Sequence, residues 1–330
     1  MPRILSETQV RALVDMPLAL EATAIAFRSL GTGTGRNVPR ERLFPPATTG
    51  APTSLQVMSA MVPELDAMGL KAYGTGHGGA SFAVLLFRAS TGELRGVVAA
   101  DWLGRFRTGA ATGVAARLLA RPDSGVLAVL GAGGQAITQA LAVITAMPSI
   151  REVRVWNRTG SRAASFGDRL REVGGAASSR VTVSPRERAD EAVAGADVVV
   201  AITSARTPVL EGAWLTDGMH VTGAGINRAN VAEIDASAVA RADLVVVDHL
   251  ENARREAGDL ILAAEAGAFD WGRAIEVGAV ATGAHPGRTS PTQVTLFESQ
   301  GIAAEDVALA SLLLDRAEAA GIGQVVSLSE

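Results

Sequence analysis

The sequence has 330 residues, of which 48% are hydrophobic, and its formal net charge is −4 at pH 7. This length can bury one large core or two modest ones, and the lack of a basic block argues against nucleic acid as a partner. Cysteine is absent and the four histidines (His77, His220, His249, His285) show no ligand spacing, which excludes disulfides and thiolate chemistry and argues against a metal site.

The first hundred residues predict an antiparallel-rich sheet flanked by helices. Apolar spacing indicates helices that begin near Ser6 and Pro17. Strand patterns follow at residues 53–61, 69–73, 81–87 and 94–99, with a flexible loop at 74–79 and a hairpin turn at 90–93. Arg40 and Arg42 fall two apart in an extended stretch, so in a strand they would share one face. No signal peptide precedes Ser6, and we expect a cytoplasmic protein.

A domain boundary is expected after residue 121. Residues 101–108 lead into a helix predicted over 109–120, which would place Arg107 and Thr108 at its N-terminal end, where the helix dipole favours an anion. An amphipathic pattern at residues 305–319 indicates a helix that returns to the first domain. We therefore predict one domain of residues 1–121 plus a C-terminal helix at about 312–330, and a second of residues 122–311.

Residues 126–159 have the pattern of a dinucleotide-binding strand–turn–helix–strand unit. An apolar run, 126–130, precedes a G-x-G-x-x-A turn formed by Gly131, Ala132, Gly133, Gly134, Gln135 and Ala136. Gly131 permits the sharp turn, Gly133 lets a diphosphate approach the backbone, and Ala136 keeps the helix close to the sheet. The following helix N-terminus offers free N–H groups to phosphates. A tight turn in another α/β protein is the alternative. Glycines also interrupt this run well short of the roughly 20 residues that span a membrane, so no membrane partner is expected.

The end of the second strand of this unit indicates which dinucleotide binds. NAD sites usually carry Asp or Glu there, whereas this chain has Asn157, Arg158 and Thr159, with Arg162 shortly after. Amide, guanidinium and hydroxyl groups bind a 2′-phosphate that a carboxylate would repel. NADP(H) is therefore favoured over NAD(H). A solvated helix start capped by Thr159 is the alternative interpretation.

Strands and helices continue to alternate beyond Thr159, which predicts a parallel sheet. Strand patterns occur at residues 198–203, 220–223, 244–248 and 293–297. Thr203, Ser204 and residues 223–227 fall at carboxyl ends of strands, where open α/β sheets bind ligands. We expect Thr203 and Ser204, with Thr108, to contribute to the cofactor site.

Lysine usage singles out one residue. Of thirty basic residues twenty-nine are arginine, and the exception is Lys71. The exception indicates a need for a compact primary amine whose pKa can move on burial. A surface lysine is the alternative, because exposed lysine is the commonest kind.

Several motifs together resemble the ornithine cyclodeaminase/mu-crystallin family over nearly the whole chain. They are GLK at 69–71, RTGA at 107–110, GAGGQA at 131–136, VWNRT at 155–159 and VTLFESQGIAAED at 294–306. The resemblance implies an α/β protein with a Rossmann-type nucleotide-binding domain and an α+β sheet domain used for substrate binding and dimerisation. It also implies a homodimer and a small 2-amino or 2-imino acid substrate, and VWNRT is most similar to the NADP-binding mu-crystallin branch.

The resemblance also implies roles for individual residues. Lys71 and Arg107 match positions with catalytic and substrate-carboxylate roles, either Arg40 or Arg42 would be a second carboxylate ligand, and Ser299 would lie near the nicotinamide. Cyclodeaminases carry an aspartate in a GAD motif six residues before a glutamate, whereas here Asn227 stands six residues before Glu233.

This departure bears on the reaction, because an amide cannot act as a general base. Asn227 could orient a substrate nitrogen but could not take its proton. We therefore expect an NAD(P)H-dependent reductase of 2-imino acids. A redox-neutral ornithine cyclodeaminase and a crystallin-like ligand-binding protein with little turnover are the alternatives.

Overall fold

The computed structural model describes residues 1–46, 53–76 and 78–327. The chain forms two compact units, the first comprising Met1–Arg107 and Ile302–Glu330 and the second Thr108–Gly301. The sequence pattern predicts these boundaries at 121/122 and 311/312. The first observed boundary lies earlier than expected. It falls inside a continuous helix, Asp101–Leu119, and not at the turn that follows this helix.

The first unit is a mostly antiparallel sheet with helices on it. Its strands are β1 (Arg3–Leu5), β2 (Arg36–Leu43), β3 (Ser54–Val62), β4 (Ala67–Gly76), β5 (Gly79–Arg88), β6 (Leu94–Ala99) and β15 (Gln324–Val325). They lie in the order β15-β1-β6-β5-β4-β3-β2, and among them only β1 and β6 pair in parallel. Its helices are α1 (Glu7–Leu13), α2 (Met16–Thr32), the start of α3 (Asp101–Leu119) and α12 (Ala303–Ala319).

Local sequence signals explain where helix α2 begins and ends. The Asp15 side chain accepts the Leu18 N–H at 2.8 Å, and Pro17 occupies the first turn, where its missing N–H costs nothing. The helix ends at Gly33, whose φ of 77° suits glycine. Its apolar residues, with those of α12, pack on the sheet, α12 contacting β3, β4 and β5.

A β-bulge in the edge strand β2 sets the direction of its arginines. Val38 pairs with Ser59 and Glu41 with Val57, so β2 has one more residue than β3 between these pairs. As a result Arg40 is buried while Glu41 is exposed. The bulge therefore turns Arg40 toward the covered side of the sheet.

Two expectations for the first unit were wrong. Most of the loop expected at 74–79 is strand: residues 74–76 belong to β4 and Gly79 to β5, with Gly74 paired to Ser81 and Gly76 to Gly79; Gly78 lies in a turn, and His77 lies outside the described residues. The helix predicted from residue 109 begins at Asp101, so Arg107 and Thr108 lie within α3 and not at a helix N-terminus. An acidic first residue favours this earlier start, and Gly104 does not interrupt the helix.

The second unit is a parallel sheet between helices. Its strands are β7 (Val126–Leu130), β8 (Glu152–Trp156), β9 (Thr182–Arg186), β10 (Val198–Ala201), β11 (His220–Gly223), β12 (Leu244–Val247), β13 (Ala274–Glu276) and β14 (Thr295–Glu298). Its helices after α3 are α4 (Gly134–Ala146), α5 (Gly160–Ala164), α6 (Phe166–Ser179), α7 (Ala189–Val193), α8 (Ala236–Arg241), α9 (Leu250–Glu256), α10 (Gly258–Glu265) and α11 (Val277–Ala281).

All eight strands of this second sheet are parallel, in the order β13-β12-β14-β11-β10-β7-β8-β9. Central strands such as β10 and β11 are buried along their whole length, as a parallel sheet covered on both faces requires. The expected fold class, a Rossmann-type domain with an α+β sheet domain, is confirmed. Within the described ranges no helix is both long and apolar enough to cross a membrane.

Candidate functional site

Lys71 and Arg107 meet at one carboxylate in the first unit. Lys71 is on β4 and Arg107 on α3, and both are buried. Oδ1 of Asp306, in the first turn of α12, accepts from Lys71 Nζ at 2.9 Å and from Arg107 Nε at 3.1 Å. The adjacent Glu305 accepts from Arg107 Nη1 at 2.8 Å. Both carboxylates are fully buried, whereas Lys71 keeps 3% and Arg107 6% of its exposure, so two cations and two anions share a site with little access to solvent.

This burial affects the two cations differently. Burial lowers the pKa of Lys71 to about 8; Asp306 opposes the decrease, whereas the charges of Arg107 and Arg40 add to it. Burial alone would also lower the pKa of Arg107, but Asp306 and Glu305 outweigh burial and raise that pKa above its usual value. Arg107 is therefore a permanent cation, and Lys71 is a cation that can release its proton near neutral pH.

Polar and aromatic side chains on the same sheet face surround Lys71. Its Nζ lies 5.7 Å from the Tyr73 ring and 5.5 Å from the Phe82 ring, and these rings stack at 5.1 Å. Gln56 Oε1 accepts from the Tyr73 hydroxyl at 2.6 Å and from Arg42 Nε at 3.3 Å. Arg42 is thus held at the edge of the cluster, and Arg40 is the buried one of the two arginines.

In the second unit, the Gly-rich turn has the geometry that a diphosphate needs. Gly131 has a φ of +116°, and a Cβ there would lie 2.2 Å from the carbonyl oxygen of Ile202, so only glycine fits. A Cβ on Gly133 would meet nothing within 4 Å, which leaves open space in front of the start of α4. Gly133 is the N-cap of α4 and provides no side-chain cap. Gly134 and Gln135 are exposed there, and Ala136 is buried against the sheet.

Side chains around this turn hold its shape. Asn157, after β8, accepts the Ala132 N–H at 3.1 Å and donates to the Thr159 carbonyl at 3.0 Å. Arg169 of α6 donates to the carbonyls of Ala132 at 2.9 Å and Gly133 at 3.2 Å. No motif in the sequence indicates Arg169. Its guanidinium adds positive charge beside a turn that is already suited to an anion.

The predicted 2′-phosphate ligands follow β8 at the same edge of the sheet. Arg158, Thr159 and Arg162 are all exposed there. Because β7 and β8 are parallel neighbours, their carboxyl ends and the turns after them lie side by side. Thr108 lies beside α4, where Gln139 donates to its carbonyl at 3.2 Å.

A buried glutamate joins the loops after β10 and β11. Glu233 accepts from the N–H of Thr203 at 2.8 Å, from the Thr203 hydroxyl at 2.9 Å and from the N–H of Gly225 at 2.6 Å. Asn227 is half-buried in the loop that contains Gly225, and Ser204 is exposed. Burial raises the pKa of Glu233 to about 7, and the charge of Asp259 adds to the increase.

Further buried acids lie at the carboxyl ends of the neighbouring strands. Asp248 Oδ2 accepts the N–H groups of Gln300 and Gly301, each at 2.7 Å, and burial raises the pKa of Asp248 to about 6. Burial raises the pKa of Glu298 well above its usual value. Next to it, Ser299 is buried, and its hydroxyl has no hydrogen-bond partner among the described residues. The described part of the chain contains no group of three or more histidine or acidic side chains arranged to hold a metal ion.

The buried acids other than Glu233 could not be assigned from the sequence motifs, and neither could Arg169. A signal for Asp306 exists, because it falls on the apolar stripe that Ala310, Leu313 and Ala317 continue along α12. An acid on a buried stripe indicates a buried cationic partner. Arg169 gives no comparable signal, since an arginine on an amphipathic helix is usually solvated.

A parallel sheet with an uncapped Gly-rich turn, and a separate buried cluster of cations suited to a carboxylate, define a dinucleotide-dependent enzyme of small acids. The chain belongs to the ornithine cyclodeaminase/mu-crystallin family, whose model matches residues 2–321. The chain is 30% identical to a Delta(1)-pyrroline-2-carboxylate reductase of Bacillus cereus, over 97% of this chain and 98% of the relative. It is 36% identical to the ketimine reductase mu-crystallin of Mus musculus, over 71% of this chain and 68% of that protein.

Solved structures agree with this assignment. The Thermococcus litoralis Delta(1)-pyrroline-2-carboxylate reductase, in complex with NADH and L-proline, has a TM-score of 0.89 and 27% identity and covers 98% of this chain and 100% of its own. An archaeal alanine dehydrogenase dimer with bound NAD has a TM-score of 0.89 and 28% identity, with 99% of each chain covered. A nicotinamide dinucleotide is therefore the cofactor class of this family member.

Proposed function

We propose that the protein is an NAD(P)H-dependent reductase of 2-imino acids, which can run in reverse as an amino-acid dehydrogenase. The observation that carries the proposal is the buried pair of Lys71 and Arg107 on one carboxylate oxygen. Arg107 supplies a permanent positive charge for a substrate carboxylate. Lys71, with a pKa of about 8, is suited to give a proton to the imine nitrogen near neutral pH.

Arg40 is the second carboxylate ligand that the structure favours. It is buried, and its charge acts on Lys71, whereas Arg42 is engaged with Gln56. Arg40 and Arg107 together would fix the carboxylate from β2 and from α3. A substrate fixed at its carboxylate presents its imine carbon in one orientation, which is the positioning that such a reaction needs.

The residues of the second unit fit a nicotinamide dinucleotide. The open space over Gly133 and the uncapped start of α4 suit the diphosphate, and the buried, unpartnered hydroxyl of Ser299 suits the nicotinamide end. When bound, the reduced cofactor would supply the hydride that reduces C2 of the imine. Asn227 would orient the substrate nitrogen through its amide, without taking a proton from it.

The redox-neutral cyclodeaminase is the second candidate, and Asn227 argues against it. Such an enzyme must oxidise its amine, lose ammonia on ring closure and return the same hydride. The family's cyclodeaminases carry a carboxylate where this chain has a neutral amide, and an amide is no general base. A crystallin-like binding protein with little turnover is disfavoured by the retention of both Lys71 and Arg107.

The reaction itself separates these candidates. With purified protein and NADPH, we expect pyrroline-2-carboxylate to be reduced with stoichiometric consumption of NADPH, and ornithine to yield little or no proline and ammonia. Absorbance at the nicotinamide band measures NADPH consumption, and amino-acid analysis measures proline and ammonia. Conversion of ornithine to proline with catalytic cofactor and no net change in NADPH would show that the reductase proposal is wrong.

Cofactor preference is proposed to be for NADPH. Asn157 places no carboxylate beside a 2′-phosphate, and its side chain is bound to the turn. Arg158 and Arg162 are exposed beside it and offer the charge-assisted contacts that a phosphate monoester takes.

Arg158→Ala should therefore remove most of the preference for NADPH over NADH. A charge-assisted phosphate contact contributes about 1.5–3 kcal/mol, or roughly ten- to a hundredfold in affinity. Dissociation constants for both cofactors, measured by nicotinamide fluorescence, test this. Arg171→Ala, at an exposed arginine of α6 paired with Asp168, is the matched control and should leave the ratio unchanged. Equal affinities for NADPH and NADH in the parent would contradict the proposal.

Lys71→Arg should lower turnover by about a hundredfold, the low end for a positioned proton donor, while NADPH binding is unchanged. The guanidinium keeps the charge but holds its proton at every accessible pH. In the parent, kcat/KM for reduction should fall as pH rises through about 8, because Lys71 then loses its proton. Arg88→Lys, at an exposed residue of the same sheet, should change neither the turnover nor the pH dependence of kcat/KM. A fully active Lys71→Arg protein would show that Lys71 is not the proton donor.

A homodimer through the first unit's sheet is also proposed. Residues that alternate with Lys71 and Val84 point to the face away from α12, and they include the paired Leu70 and Leu85. Toward the β2 edge the same face carries Val38, 50% exposed, and Leu55, 45% exposed. Exposed apolar surface of this kind indicates a protein interface, and the archaeal alanine dehydrogenase of the same fold is a dimer.

Light scattering should therefore give twice the 33.8 kDa chain mass. Leu85→Glu, which puts a charge in the middle of the apolar face, should give monomers at micromolar concentration. Arg28→Glu, on the exposed side of α2, should remain dimeric. A monomeric parent protein would refute the interface.

A further inference from the structure

Asp306 belongs to neither of the motifs that carry Lys71 and Arg107, yet it binds both. It is the fourth residue of α12 and is 0% exposed. Its Oδ1 is 2.9 Å from Lys71 Nζ and 3.1 Å from Arg107 Nε. Its Oδ2 is buried and has no hydrogen-bond partner among the described residues. The described contacts of this carboxylate are thus those to the two cations.

The surroundings of Lys71 otherwise disfavour a charged amine. Burial removes water, and Arg40 from β2 and Arg107 from α3 add like charge. Its neighbours also include the Tyr73 and Phe82 rings, which attract a cation only weakly compared with a carboxylate. Gly104 of α3 lies close as well, since a Cβ there would be 3.2 Å from Nζ. Asp306 is the anion in contact with Nζ.

We infer that Asp306 is a positioning residue that keeps Lys71 in its ammonium form and holds it beside Arg107, facing one substrate. The inference deepens the proposed function and rests on it where Lys71 is the proton donor. In that step an N–H bond of Lys71 breaks, an N–H bond forms at the imine nitrogen, and solvent returns the proton to Lys71. A neutral Lys71 would have no proton of suitable acidity to give.

Two further features suit Asp306 to this role. It lies in the first turn of a 17-residue helix, where the dipole stabilises a negative charge. The neighbouring Glu305 accepts from Arg107 Nη1, so Arg107 has a carboxylate of its own. Arg107 therefore need not draw Asp306 away from Lys71, and one oxygen can serve both donors.

The single lysine of the chain allows a direct measurement. Because Lys71 is the only lysine, protein labelled with 13Cε-lysine gives one side-chain signal, whose pH titration reports Lys71 without any activity assay. We compare the parent with Asp306→Asn and with the matched control Glu305→Gln, which removes a charge from the same helical turn. Thermal unfolding and NADPH fluorescence establish that each variant is folded.

We expect the titration midpoint of Lys71 to fall by about one pH unit or more in Asp306→Asn, since an opposite charge within about 4–6 Å shifts a pKa by 1–3 units. Glu305→Gln should shift it less than half as much. The falling limb of kcat/KM against pH should move with the NMR midpoint in each variant. Asp306→Glu, which keeps the carboxylate, should stay within about half a unit of the parent and provides the test if Asp306→Asn does not fold.

An unchanged midpoint in Asp306→Asn, equal shifts in Asp306→Asn and Glu305→Gln, or a midpoint in Asp306→Glu that has fallen by a full unit would each overturn the inference. A shifted Lys71 midpoint in a protein that reduces no imine would support the role of Asp306 and contradict the proposed function instead. The two failures are therefore distinguishable.

Discussion

A charge buried away from water must be paired, because an isolated one costs several kcal/mol or more. In the described part of the first unit five charged side chains are buried: Arg40, Lys71, Arg107, Glu305 and Asp306. Their cations come from β2, β4 and α3, whereas both anions come from α12, about two hundred residues beyond Arg107. The return of α12 to the first unit is thus an electrostatic requirement as well as a packing one, since its two acids are the carboxylates that bind Lys71 and Arg107.

In the second unit it is buried backbone N–H groups that need partners. Loops after parallel strands leave N–H groups that need acceptors, and buried carboxylates supply them: Glu233 for Thr203 and Gly225, and Asp248 for Gln300 and Gly301. Glu233 also fixes Gly225 against Thr203 so closely that a Cβ on Gly225 would lie 2.5 Å from the Thr203 nitrogen. The loop that carries Asn227 is therefore held near its start. Burial raises the pKa of each acid, which limits how much negative charge collects at this edge.

Features that depend on residues close together in the sequence could be predicted, and features that depend on tertiary contacts could not. The turn at Gly131 and Gly133 was predictable because its physics is local: strand, glycines and helix are contiguous, and each glycine has a steric reason. The start of α3 was not, because helix ends depend on tertiary contacts, here including the Trp102 N–H donated to Glu7. The choice between Arg40 and Arg42 depended on a bulge that no spacing rule reveals. Asp306 could be suspected from its place on an apolar stripe, but its partners could be known only from the fold.

The one lysine among the basic residues acquires a physical reason in this cluster. Arg107 and Lys71 share an acceptor oxygen, yet the paired carboxylates raise the pKa of Arg107 while burial and like charges lower that of Lys71 to about 8. In the proposed function the first is a fixed charge that binds a carboxylate, and the second is a source of a proton. Arginine in place of Lys71 could not divide the work in this way, because its guanidinium does not release a proton in proteins. Two cations around one aspartate can therefore perform different tasks only if one of them is a lysine.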